Sequence, residues 1–153
     1  MSLELERQIA TEMEHLRMVL TRHPGLLEKC KSEPPTPIEL DALANMLHGF
    51  YTGVENIFKR ICIARGDIPK DGALSHIQML QSMASTAQQD SPVLTQELIK
   101  TLREYMNFRH MFRHAYAHEL KWHRMAALIL DIWNVFNRLQ KELNQYLVSI
   151  RGQ

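Results

Sequence analysis

Residues 36–66 read TPIELDALANMLHGFYTGVENIFKRICIARG, and the first four letters specify a helix start. Thr36 stands as an N-cap, Pro37 takes the first helical position, and Glu39 lies three residues past the cap. In that arrangement the Thr hydroxyl and the Glu carboxylate each accept an amide that would otherwise have no partner, which is a capping box. From there Leu40, Leu43, Leu47, Phe50, Val54, Ile57 and Ile61 recur at steps of three and four. Such spacing marks one face of a helix of about 28 residues. Gly66 is the expected stop, because glycine takes the left-handed conformation that ends a helix. The stretch GDIPKDG, residues 66–72, reads as a loop.

A helix with so continuous an apolar face needs partners, and the flanking sequence supplies them. Upstream, Leu5, Ile9, Met13, Leu16 and Leu20 form one helical face within residues 3–31, interrupted by Pro24 and Gly25. Residues 32–36, SEPPT, make a short stiff linker. Downstream, a shorter helix is expected over residues 75–88, with Ile77, Leu80 and Met83 on its buried side. Ser91-Pro92 is a second cap-plus-proline start. Beyond Pro92 there is no proline, and no glycine before Gly152, so the rest is expected to be helical. Two helices with a turn or bend near residues 116–123 account for it. Leu128, Ile132, Val135, Leu139, Leu143 and Leu147 supply the apolar face of the second. The expectation is an all-α, up-and-down bundle of four long helices plus a short one, in a single domain over residues 1–153.

Composition agrees with a folded chain: 45% of the 153 residues are hydrophobic and 23% charged. The first twenty residues, MSLELERQIATEMEHLRMVL, are amphipathic and acidic and lack a signal-peptide core. No run reaches the ~18 apolar residues of a membrane span. The expected location is the cytoplasm, with no membrane contact. Cys30 and Cys62 are isolated and lack zinc-ribbon spacing, so reduced thiols are expected. The net charge of +1 conceals an asymmetry. Over residues 1–28, five Glu face three Arg. Over residues 100–124, six Lys and Arg outnumber two Glu, with His110, His114, His118 and His123 beside them. A local basic zone of this kind suits a polyanion.

That zone contains YMNFRHMFRHAYAH, residues 105–118. Histidine is the side chain that can both take and give a proton near neutral pH. A guanidinium grips phosphate oxygens in pairs and stays charged. Cleaving RNA without a metal needs both: a proton acceptor for the ribose 2′-OH and a fixed cation for the charge that builds on phosphorus. Arg109 is therefore the candidate phosphate clamp and His114 the candidate general base or acid. On a straight helix, two positions five apart point ~140° from one another. Either the helix is distorted near His114, or two copies of the motif meet across a dimer. His110, His114 and His118 recur at intervals of four, which would align them on one helix face. No Cys or carboxylate completes a metal set there, so no metal or cofactor is expected. Glu55 is apt to orient the Arg or the His, but a solvated helix charge explains it equally well. His15, His23, His48, His76 and His123 carry no assigned role.

Arg109, His114 and Tyr116 together spell R-x4-H-x-Y, with a polar His110 after the Arg. This resembles the signature of HepT toxins in the HEPN superfamily. Tyr51-Thr-Gly-Val-Glu55-Asn-Ile-Phe-Lys resembles the helix that backs the site in those proteins. The likeness, including helix order, spans about residues 36–150. It implies a helical bundle acting as a metal-independent ribonuclease on structured RNA, with tRNA the expected class. It further implies a homodimer joined through the motif region. The partner it implies is a minimal nucleotidyltransferase (MNT) antitoxin, which silences the toxin by adding AMP to Tyr116. Arg113 and His118 repeat the R-x4-H spacing without the Tyr, Leu120 standing in its place, and are expected to support substrate binding. The family often turns directly after the Tyr; here Glu119-Leu-Lys-Trp-His has no Gly, Pro or Asp. The competing reading is a non-catalytic HEPN bundle serving as an adaptor or nucleotide-binding accessory subunit, which has no need of an intact Arg109/His114 pair.

Overall fold

The computed structural model describes residues 2–67, 73–84 and 91–151. Among the described residues six α-helices follow one another: α1 (Ser2–Thr21), α2 (Leu26–Lys29), α3 (Pro37–Ala64), α4 (Ala73–Ser82), α5 (Gln96–Phe112) and α6 (Trp122–Arg151). No strand occurs among the described residues, and none of their helices is long and apolar enough to cross a membrane. The chain is an all-α bundle of four long helices, α1, α3, α5 and α6, with two shorter ones.

The capping box opens α3 as its sequence demands. The Thr36 hydroxyl accepts the Glu39 amide at 3.2 Å, and the Glu39 carboxylate accepts the Thr36 amide at 3.0 Å. The same carboxylate takes the Lys29 ammonium at 2.8 Å, so the cap also anchors α2. Gly66, at φ 82°, follows the last residues of α3 in the left-handed conformation. Between these ends α3 is the central helix, touching α1, α4, α5 and α6. Leu43, Leu47, Phe50, Tyr51, Val54, Ile57, Phe58 and Ile61 are shut off from solvent completely.

Three local expectations differ from the fold. The helix after Pro92 starts later, at Gln96, with Thr95 as its cap. The Val93 and Leu94 amides both donate to the Met83 carbonyl, at 2.7 and 3.0 Å, and both side chains are buried. That tertiary anchoring holds residues 93–94 out of the helix, and Glu142 of α6 accepts the Thr95 amide at 2.7 Å. Second, α4 ends at Ser82, and residues 85–88 of the expected helix lie outside the described residues. Third, α5 stops at Phe112, earlier than the bend expected at 116–123. A 3₁₀ turn, Ala117–Glu119, bridges to α6. The Tyr116 amide donates to the Glu119 carboxylate at 3.0 Å and the Glu119 amide to the Tyr116 carbonyl at 2.9 Å. Leu120, buried, pins the far side of this turn. Tyr105 then donates its hydroxyl to the Leu128 carbonyl at 2.7 Å, fastening α5 to α6.

The approach of α1 to α3 rests on Gly53. A Cβ built there would lie 2.4 Å from Leu16 Cδ2, and Leu16 is itself buried. At Gly49, one turn earlier, a Cβ would sit in ordinary contact, 3.5 Å from Val19 Cγ1. Alanine gains up to ~1 kcal/mol over glycine inside a helix, whereas overpacking a core costs ~1–3 kcal/mol. Gly49→Ala should therefore raise, and Gly53→Ala lower, the urea midpoint of unfolding; equal shifts for the two would contradict this packing.

Candidate active site

Three helices meet at one carboxylate. Glu55 of α3 is only 2% exposed. Its Oε1 accepts Arg109 Nη1 from the last turn of α5 at 2.8 Å, and its Oε2 meets His76 Nδ1 from α4 at 2.6 Å. The Arg109 side chain is 16% exposed and makes no other hydrogen bond among the described residues. Its Nε is buried without a partner there, as is the hydroxyl of Tyr51, one helical turn before Glu55. Burial, and then the Glu55 charge, push the Tyr51 phenol well above its ordinary range, with Arg109 pulling the other way.

Beside this cluster lies a cleft of about 210 Å³ whose polar lining is His76, Asn107, Arg109, His110 and Arg113. Every ionisable group in that lining is cationic or can become so. The lining is therefore suited to an anion.

The remaining motif residues follow from where α5 ends. Arg113 is its C-cap, so His114 stands in the turn beyond the helix. Its ring packs edge-on against His110, centroids 5.1 Å apart. His110, His114 and His118 consequently do not share one helix face. The early helix end also removes the straight-helix premise for the angular mismatch between Arg109 and His114. Tyr116 is 73% exposed and stacks on His118, centroids 5.7 Å apart. Of the apolar side chains around the motif, Phe108 is buried, Phe112 half-buried and Met111 exposed. Among the described residues no group of three or more His, Cys, Asp or Glu could hold a metal ion.

Two histidines without an assigned role belong to this region. His76 closes on Glu55. His48 of α3 packs on Phe112, ring centroids 5.6 Å apart. Burial first, then the charges of Arg109 and Arg113, lower its pKa below 6.5. No spacing rule points to either histidine, because each meets its partners only across helices. Tyr51 had one signal, its position four residues before Glu55 on the same helix face.

A buried carboxylate holding an arginine from the next long helix, beside a basic cleft, defines a helical-bundle protein with an Arg–His polar site. The chain belongs to the HepT-like protein family, whose model matches residues 42–150, and is thereby a HEPN-superfamily protein. No curated protein and no solved structure matches it.

The shift at His48 has a testable sign. Its folded-state pKa lies below the unfolded value of 6.5, so in the interval between them the unfolded chain binds the extra proton. The stability contributed by neutral His48 is complete above that interval and declines as pH falls through it. Proton NMR should show His48 titrating below 6.5, and Arg113→Gln should move the midpoint upward. An upward shift is required because the Arg113 charge opposes protonation.

Proposed function

We infer that this protein is the toxin of a HEPN/MNT pair, an endoribonuclease that cleaves RNA, tRNA foremost, without a metal. The observation that carries this reading is the basic cleft containing Arg109, whose guanidinium is fixed by a buried carboxylate. Glu55 occupies Nη1 and, with Nε buried, leaves Nη2 for a phosphate oxygen. A cation held in place before substrate arrives stabilises developing charge without reorganising in the transition state. Arg113 and His110 widen the positive lining for neighbouring phosphates, and His118 supports binding from beyond the turn. His114, next to His110, moves a proton as general base or acid during attack of the 2′-OH on phosphorus.

Tyr116 is the residue an MNT nucleotidyltransferase would modify with AMP. Its exposed ring lets another protein reach the hydroxyl without unfolding the turn. An added AMP brings a negative charge that competes with RNA phosphate for Arg109 and Arg113, and a bulky group beside His114. The family resemblance also supports a homodimer through this region, to which exposed Met111 would contribute.

The tests are set by the structure. Arg109→Ala would strip a buried carboxylate of its cation, at a cost of about 3 kcal/mol, so it confounds folding with activity. Arg109→Lys keeps the charge and loses the fork, and His114→Ala removes an exposed ring. Each should reduce tRNA cleavage ~100-fold or more with the melting temperature little changed for His114→Ala, and wild-type cleavage should persist in EDTA. Loss of wild-type activity on chelation, restored by magnesium or zinc, would remove the metal-free mechanism; full activity in both variants would remove Arg109 and His114 from catalysis, and no cleavage by the wild type would favour the adaptor reading.

With ATP, a divalent cation and the cognate nucleotidyltransferase, the mass of one AMP should appear on the peptide carrying Tyr116, and Tyr116→Phe should stay active in the partner's presence. Modification elsewhere alone would overturn the switch and leave the nuclease standing.

A further inference from the structure

We propose that His76 is a further catalytic residue, the general base that takes the 2′-OH proton, with His114 donating to the leaving oxygen. This assignment rests on the ribonuclease reading above. Transesterification at phosphorus moves two protons. The 2′-O–H bond breaks as the 2′-oxygen bonds to phosphorus, and the P–O5′ bond breaks as the 5′-oxygen acquires a proton. The products are a 2′,3′-cyclic phosphate and a 5′-hydroxyl. Without a metal, each transfer needs a positioned side chain, and the R-x4-H motif contains a single His at its catalytic position.

The second group is in the cleft wall. A carboxylate already paired with a guanidinium can only accept hydrogen bonds, so at the 2.6 Å contact His76 Nδ1 carries the proton and donates it to Glu55 Oε2. In the neutral ring that leaves Nε2 unprotonated, the tautomer a general base requires. A carboxylate behind an imidazole fixes this tautomer and ring orientation and stabilises the imidazolium that forms. The His76 side chain is 33% exposed, and the residue lines the cleft with Arg109, His110 and Arg113. The charged and titratable groups around it are thus Glu55 from α3 and these three from α5. His114 packs edge-on against His110, a residue of the cleft lining. A phosphate on Arg109 would lie beside the carboxylate-held imidazole of His76, with His114 adjoining the cleft through His110.

Glu55 has a double use in this scheme. One oxygen fixes the clamp and the other fixes the base, so a single buried side chain sets the relative position of both.

The experiment has one arm that reads no activity. Long-range proton–nitrogen NMR of the full chain should find neutral His76 protonated on Nδ1; protonation on Nε2 would overturn the proposal. In the second arm, bulk tRNA is the probe. His76→Ala and His76→Gln should each lower kcat ~100-fold or more with KM little changed. The melting temperature should hold for His76→Gln, which keeps a donor for Glu55, and fall for His76→Ala, which leaves a buried carboxylate oxygen unpaired. A kcat within twofold of wild type in either variant, or a change confined to KM, would overturn it.

At the mapped cut, an oligoribonucleotide with sulfur in place of the bridging 5′-oxygen provides a leaving group that needs no proton. It should restore cleavage to His114→Ala and not to His76→Ala, and the reverse pattern would overturn the base assignment. If the wild type does not cleave, or if Arg109→Lys and His114→Ala both cleave like it, the ribonuclease reading of this site has failed, a result distinct from a His76 defect that is absent while theirs is present.

Discussion

A carboxylate buried to 2% exposure cannot stand alone in a protein interior, because transfer from water costs an isolated charge several kcal/mol. Glu55 therefore obliges the helices around it to bring partners. Arg109 of α5 answers one oxygen and His76 of α4 the other, and α3 supplies the carboxylate itself. Three elements far apart in sequence are thereby locked in register at a single point. The hydrophobic burial around α3 makes the bundle compact, but oil-like contacts alone tolerate sliding and rotation. A two-sided hydrogen-bonded charge cluster does not.

The same interaction explains why the site is only partly satisfied. Arg109 Nε and the Tyr51 hydroxyl are both buried next to Glu55 without partners among the described residues. Buried polar atoms left unpaired are unfavourable, and native proteins retain few of them. Here they lie beside a basic cleft, where fixed dipoles and a fixed cation are useful to an anionic ligand. Glu55 nevertheless holds the Arg109 guanidinium in one place beside that cleft. Any substitution at Arg109 acts on folding and on the site together.

Around this rigid centre, the other motif residues sit in a contrasting environment. His114 and Tyr116 lie in the turn after α5, held by hydrogen bonds between Tyr116 and Glu119 and by buried Leu120. Their side chains face solvent, so chemistry or modification there is decoupled from the stability of the bundle.

Much of the architecture is legible in the linear chain because helix starts and apolar faces are local properties. Thr36-Pro37-Ile38-Glu39 names its own cap, Gly66 its own stop, and the three-and-four spacing its own buried face. Arg109, His114 and Tyr116 are legible as a motif for the same reason, since they lie within eight residues. The true start of α5 at Gln96 was not, because Val93 and Leu94 are held by the carbonyl of Met83. Nor was the end of α5 at Phe112, which depends on a turn closed by Glu119 and anchored by Leu120. Glu55 could be read from sequence as an orienting group or as a solvated charge with equal justice. Only burial against α4 and α5 decides between them, and only that packing puts His76 and His48 near Arg109. Periodicity determines which face of a helix is apolar. Which polar residue from another helix meets a buried charge is a property of three-dimensional packing, where desolvation makes the pairing compulsory.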